Sequence, residues 1–281
     1  MNRCNPAVRT LLLCCSVLPQ TACGKAAPAA LPAPPALGVI ASSGCGGPAQ
    51  PTGLRGGLVI QVNGTSRTYA LSVPPGASPS TTPLALIFGY HGAGGNGLDF
   101  STGLQLEPQA AGRAIFVYPD GVGGGWDTSE TGADVQMFDA LVASIGSAYC
   151  IDKNRIFATG FSYGASMTST IGCFRGDAVR AIAIAAGGIL FPQDAKCKRG
   201  LAAWMYVGTN DPNISAAYVT RDFWRARDRC SSSSTQVIPD PCQGYLGCDP
   251  ATSVTYCQWA GGHELAPFGA SGTWAFFDTF H

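Results

Sequence analysis

The stretch that most constrains this chain is Gly160-Phe161-Ser162-Tyr163-Gly164. Before it, Arg155-Ile156-Phe157-Ala158-Thr159 is β-branched and aromatic enough to form a buried strand. After it, Ala165-Ser166-Met167-Thr168-Ser169-Thr170-Ile171 continues as a helix. The serine therefore stands at a sharp strand-to-helix corner. Gly160 and Gly164 let the two elements approach, while Ser162 is held strained with its hydroxyl exposed, as in a nucleophile elbow. The helix that follows aims backbone N–H groups at any anion forming beside that hydroxyl. A plain strand-turn-helix connection reads the same in isolation, so the assignment rests on the surrounding chain.

That context is a series of buried strands alternating with helices. Leu58-Val59-Ile60-Gln61-Val62 and Ser66-Arg67-Thr68-Tyr69-Ala70-Leu71-Ser72-Val73 alternate and are joined near Asn63-Gly64, which predicts an N-terminal β-hairpin. Leu84–Phe88, Ala114–Tyr118, Ala181–Ala185 and Ala203–Val207 are apolar without alternation, as strands covered on both faces should be. Ser253–Cys257 reads as a last strand. Helices are expected over residues 98–112, 133–148, 215–229 and 271–280, the first weakened by Gly103 and Pro108. The fold class is α/β, with a mostly parallel sheet and helices on both faces. Ligands of such sheets lie at the carboxyl ends of the strands.

Four of those ends carry reactive or polar groups: His91-Gly92-Ala93, Ser162, Asp211 and His263. A serine hydroxyl is a poor nucleophile at neutral pH. It needs a base within hydrogen-bond reach, and the base needs an orienting partner. Among three histidines, His281 is terminal and His91 opens a glycine-rich loop, which leaves His263, framed by Gly262, as the base. Asp211, directly after its strand and before Pro212, is preferred as the orienting acid over Asp228 and Asp240, neither of which ends a buried strand. The order Ser, Asp, His along the chain fits this arrangement. His91-Gly92-Ala93-Gly94-Gly95 has the composition of an oxyanion loop, with the N–H groups of Ala93 and Tyr163 as expected donors. The competing reading, a phosphate-binding glycine loop, lacks the lysine such loops carry.

Formal net charge is zero and only 12% of residues are charged, so nothing resembles a footprint for nucleic acid or an anionic membrane. Arg3 and Arg9 precede the apolar run Leu11–Leu18, too short to span a bilayer, and residues 1–23 read as a secretory signal. Thr21-Ala22-Cys23-Gly24 also has the form of a lipoprotein processing site with Cys23 lipidated. Gln20 stands where leucine is usual there, so plain secretion is the simpler reading. Residues 24–42 are an Ala/Pro-rich linker, and 43–281 form one catalytic domain, expected to be a monomer without metal or cofactor. Cys45, Cys150, Cys173, Cys197, Cys230, Cys242, Cys248 and Cys257 read as disulfides in an exported chain. Cys173 and Cys197 are expected to pair, and the last four among themselves.

The run from Cys150 to Gly164, the His-Gly-Ala-Gly-Gly loop, Gly-Gly-Trp-Asp-Thr from Gly124 and Gly-Gly-His from Gly261 resemble the secreted feruloyl esterases of the first carbohydrate-esterase family. Those enzymes are related to extracellular polyhydroxybutyrate depolymerases. The resemblance covers about Ser43 to the C-terminus. It implies an α/β-hydrolase fold, a triad on Ser162, Asp211 and His263, and release of hydroxycinnamic acids from plant cell-wall polysaccharide such as xylan. A flat aromatic acyl group needs an apolar slot, for which Trp126 is the expected wall, with Tyr163 as a second and His91 beside it; the alternative for Trp126 is a loop anchor packed in the core. A polyhydroxybutyrate depolymerase or short-chain carboxylesterase would share the triad and differ in its binding surface.

Overall fold

The computed structural model describes residues 34–280. The expected signal segment, Cys23 and the first part of the linker lie outside the described residues, as does His281.

Ten strands form one sheet in the order β1-β2-β4-β3-β5-β6-β7-β10-β9-β8. The strands are β1 (Gly53–Val62), β2 (Thr65–Val73), β3 (Leu84–Tyr90), β4 (Ala114–Pro119), β5 (Ile151–Phe161), β6 (Ala181–Ala185), β7 (Ala202–Gly208), β8 (Ser234–Gln236), β9 (Cys242–Tyr245) and β10 (Val254–Trp259). The six central strands, β4 through β10 in that order, run parallel. Antiparallel pairs extend the sheet at both edges. The first edge is the expected hairpin, turned by Asn63 at φ 48° and Gly64 at φ 80°.

The helices are α1 (Gly97–Leu104), α2 (Leu106–Ala110), α3 (Ala133–Ala148), α4 (Tyr163–Phe174), α5 (Ile214–Arg227) and α6 (Gly269–Phe277). Period-two burial in the strands divides the core into two layers. Leu86, Phe88, Ile156 and Ala158 pack with α3, α4 and α5 on one face. Ala85, Ile87 and Phe157 pack with α1, α2 and α6 on the other. Both faces are thus covered, which is why the central strands read as unbroken apolar runs.

The single helix expected over 98–112 is divided: Gln105, at φ 55°, ends α1 and begins α2. The cysteine-rich stretch after α5 adds the short strands β8 and β9, which the sequence pattern does not announce. Four disulfides are present: Cys45–Cys150, Cys173–Cys197, Cys230–Cys248 and Cys242–Cys257. These match the expected pairing of Cys173 with Cys197 and of the last four cysteines among themselves.

Part of the Ala/Pro-rich segment is docked. Arg180 donates to the Pro35 carbonyl at 2.9 Å, Asn154 to that of Gly38, and Ala41 bridges Asp152. No helix among the described residues is long and apolar enough to cross a membrane.

Candidate active site

Ser162 sits between β5 and α4 at φ 56°, ψ −117°, a conformation that costs a non-glycine residue energy and that only the surrounding structure can impose. The two glycines make the corner sterically feasible. A Cβ on Gly160 would lie 2.3 Å from the Gly164 carbonyl oxygen, and one on Gly164 would lie 1.9 Å from that of Tyr90. β5 and α4 can approach β3 this closely only where there is no side chain.

The acid and base arrive from neighbouring parallel strands. Thr209 N–H donates to the Trp259 carbonyl and Asn210 N–H to that of Gly261, stitching the loop after β7 to the loop after β10. This brings Asp211 and His263 together although 52 residues separate them. His263 Nδ1 donates to Asp211 Oδ2 at 2.8 Å, and the Ser162 hydroxyl donates to His263 Nε2 at 2.8 Å. The Asp211 side chain is fully buried and its other oxygen accepts from the Asn213 N–H at 2.7 Å, so its direction is fixed. The His263 side chain keeps 30% exposure. Its ring lies beside that of Phe161, centroids 5.0 Å apart and planes tilted by 40°. A hydroxyl in this setting can pass its proton to an imidazole whose tautomer is set by a carboxylate. Asp228 and Asp240 lie elsewhere. Asp228 caps α5 and accepts from the Leu201 N–H; Asp240 accepts from Gln236.

The loop after β3 lies against the elbow: a Cβ on Gly92 would stand 3.5 Å from that of Ser162. Among the described residues, the N–H groups of Ala93 and Tyr163 have no acceptor. Tyr163 opens α4, where such unpaired donors and the positive end of the helix dipole coincide. Gly92 to Gly97 also spells Gly-x-Gly-x-x-Gly between a strand and a helix. The start of that helix is already occupied, since Gly97 N–H donates to Asp120 and Asp99 N–H to Asn96.

His91 and Trp126 are both buried, and Trp126 takes the place of a loop anchor, the alternative the sequence left open. Trp126 is 4% exposed and its indole N–H donates to the His91 carbonyl at 2.9 Å. Its ring packs edge-on against Tyr90 and lies 4.5 Å from the His91 ring. It anchors its loop and also lines an open groove of about 710 Å³ shared with residues 127–130, Phe174 and residues between Leu190 and Lys196. His91 is 1% exposed. Its Nδ1 donates to the Gly92 carbonyl at 2.8 Å, and Nε2 accepts from the Gly121 N–H at 3.0 Å. One ring nitrogen donates and the other accepts, so the imidazole is neutral, and burial holds its pKa below the ordinary value. Tryptophan and histidine among glycines look alike in sequence whether they face solvent or the sheet.

Sequence reasoning missed the ion pair beneath this region. Arg67 on β2 and Asp134 on α3 are both buried and bonded to each other. Arg67 also donates to the Asp120 carbonyl, and Asp134 accepts from the Asp127 N–H, so the pair grips both ends of the loop holding Trp126. Nothing local links residues 67 positions apart; only the polar character of two residues in apolar elements signalled them.

No protein-family model matches the chain. Probable feruloyl esterase C of Aspergillus terreus is 34% identical over 264 residues, spanning 85% of this chain and 92% of the relative. The chain belongs to the feruloyl esterase family. It is a carboxylic-ester hydrolase with an α/β-hydrolase fold. Solved structures agree on that fold. An acetyl xylan esterase from Aspergillus awamori aligns with a TM-score of 0.63 at 16% identity, covering 80% of this chain and 99% of its own. The feruloyl esterase module from Clostridium thermocellum complexed with sinapinate gives 0.59 at 15%, covering 89% and 95%.

Proposed function

We propose that this protein is a secreted serine esterase that hydrolyses feruloyl and related hydroxycinnamoyl esters of plant cell-wall polysaccharide such as xylan. The observation that carries the chemistry is the unbroken relay Ser162, His263, Asp211, both links 2.8 Å long, beside two unpaired N–H groups. The family relationship supports the ester class, and an N-terminal signal pattern with bridged cysteines supports export.

In the proposed cycle, His263 takes the Ser162 proton as Oγ attacks the ester carbonyl. The tetrahedral oxyanion lies between the N–H groups of Ala93 and Tyr163. Collapse expels the polysaccharide hydroxyl, which receives the proton from His263. Water, activated by the same imidazole, then releases the hydroxycinnamic acid and restores Ser162. Asp211 holds the imidazole through Nδ1–H and stabilises the imidazolium.

Ser162→Ala and His263→Ala should each lower kcat on methyl ferulate by about four to six powers of ten, because triad members act as a unit. Both variants should keep the parent's melting temperature to within a few degrees. Activity of Ser162→Ala within tenfold of the parent would overturn the mechanism. Substrate class is read from a panel of methyl ferulate, p-nitrophenyl alkanoates and polyhydroxybutyrate. Polyhydroxybutyrate hydrolysis without turnover of methyl ferulate would assign a depolymerase instead.

A further inference from the structure

An oxyanion hole depends on the direction of its N–H groups as much as on their presence. At the Tyr163 end that direction comes from α4. At the Ala93 end there is no helix; residues 92–95 form a glycine-rich turn in which Gly95 N–H donates to the Gly92 carbonyl at 3.1 Å. That carbonyl has a second lone pair, and what occupies it bears on how firmly the Gly92–Ala93 peptide is held.

A trans peptide is planar, with its C=O and N–H pointing in opposite directions. The Gly92 carbonyl and the Ala93 N–H belong to the same unit. His91 Nδ1 donates to that carbonyl at 2.8 Å, beside the longer bond from Gly95 N–H; the two together set the plane and turn the Ala93 N–H to the side away from the imidazole. We infer that His91 is a positioning residue of the oxyanion hole, its neutral Nδ1–H tautomer holding the Gly92–Ala93 peptide with the Ala93 N–H toward the reacting oxygen. The inference rests on the catalytic reading of Ser162.

Three further contacts hold the imidazole to this task. Gly121 N–H donates to Nε2, which leaves the ring's only proton on Nδ1. Trp126 donates to the His91 carbonyl and covers one side of the ring. Gly94 N–H donates to the Gly124 carbonyl at 2.8 Å, tying the far side of the loop to the same 121–125 turn. A second proton on Nε2 would face the Gly121 N–H and break that contact. Burial opposes such protonation and outweighs the nearby Asp120 and Asp134 carboxylates, which favour it.

The test uses the full-length enzyme and its variants His91→Ala, His91→Asn and His91→Gln with methyl ferulate. Asparagine places an N–H donor near Nδ1, whereas glutamine reaches toward Nε2 and alanine has neither. The expected order of kcat is parent, then Asn, then Gln and Ala together, with Ala about 10–100-fold below the parent, less than outright loss of a donor. KM should stay within threefold. A trifluoromethyl ketone of the hydroxycinnamoyl type, which adds Ser162 Oγ to form a tetrahedral oxyanion, should lose affinity in the same proportion. Binding of coniferyl alcohol, which keeps the aromatic ring and has no carbonyl or carboxylate oxygen, should hold. A purely structural role would instead move KM, coniferyl alcohol binding and melting temperature together.

His91→Ala within threefold of the parent in kcat would overturn the inference, as would Gln matching or exceeding Asn. If His91→Ala does not fold, the Asn and Gln pair decides. Ser162→Ala in the same assay separates the two claims: if it is inactive while His91→Ala is fully active, only the role of His91 falls.

Discussion

Asp228 is fully buried at the end of α5 with one oxygen accepting from the Leu201 N–H and the other unpartnered among the described residues. Burial pushes its pKa to about 8, with Asp249 adding to the effect. A carboxyl with a raised folded-state pKa binds its proton more tightly folded than unfolded. Stability is therefore present below the unfolded value near 4 and is lost as pH rises toward 8. Asp228→Asn keeps an acceptor for Leu201 and cannot ionise. Its melting temperature relative to the parent should rise by about 5–10 °C between pH 5 and pH 9, measured by circular dichroism. A difference independent of pH would mean that Asp228 ionises freely. At this scale the meeting of Ser162, His263 and Asp211 was legible because each follows a strand end in the chain order Ser, Asp, His. The roles of Trp126 and Asp228 were not, since both depend on what the fold brings against them, Tyr90 in one case and Gly200 in the other.

Among the elements, α3 and the central strands are close to their sequence pattern because both are decided by apolar periodicity. The loop from Asp120 to Gly132 is decided by contacts from outside itself. Arg67 and Asp134 are each 4% exposed and form its clamp. Removing one member of a buried pair leaves the other charged and unpartnered, a cost of about 3–5 kcal/mol. Asp134→Ala should therefore lower the melting temperature by about 6–15 °C. An Arg67→Met/Asp134→Leu double variant should regain most of that loss, since an apolar pair of similar volume leaves no stranded charge. A double variant as unstable as the single would show that the pair's further bonds to Asp120 and Asp127, and not its charge balance, hold the loop. The division of the 98–112 helix has a similar external cause. Gly97 must pass the Tyr118 carbonyl, where a Cβ would lie 2.2 Å away, and α2 then turns to meet α6.

Across the whole molecule, the described lead-in joins the sheet at the end opposite Ser162. Ala41 bridges Asp152 near the start of β5, and Ser162 follows its other end ten residues further on, roughly 32–34 Å along a strand. Cys45–Cys150 fastens this lead-in and closes a span of 105 residues, whereas Cys242–Cys257 closes 15. A cross-link stabilises chiefly by restricting the unfolded chain, and by that account the longer loop contributes about 2 kcal/mol more. Cys242 and Cys257 are also register partners on β9 and β10, held opposite each other by strand pairing. Cys45→Ala/Cys150→Ala should thus lower the melting temperature by about 4–8 °C more than Cys242→Ala/Cys257→Ala. Scanning calorimetry of the two double variants under identical conditions measures the difference. Cys242 and Cys257 are both fully buried, so their truncation also leaves a void in the core, which works against the expected order. A larger loss at Cys242–Cys257 would mean that packing at that edge of the sheet, and not restriction of the unfolded chain, is what these bridges chiefly supply.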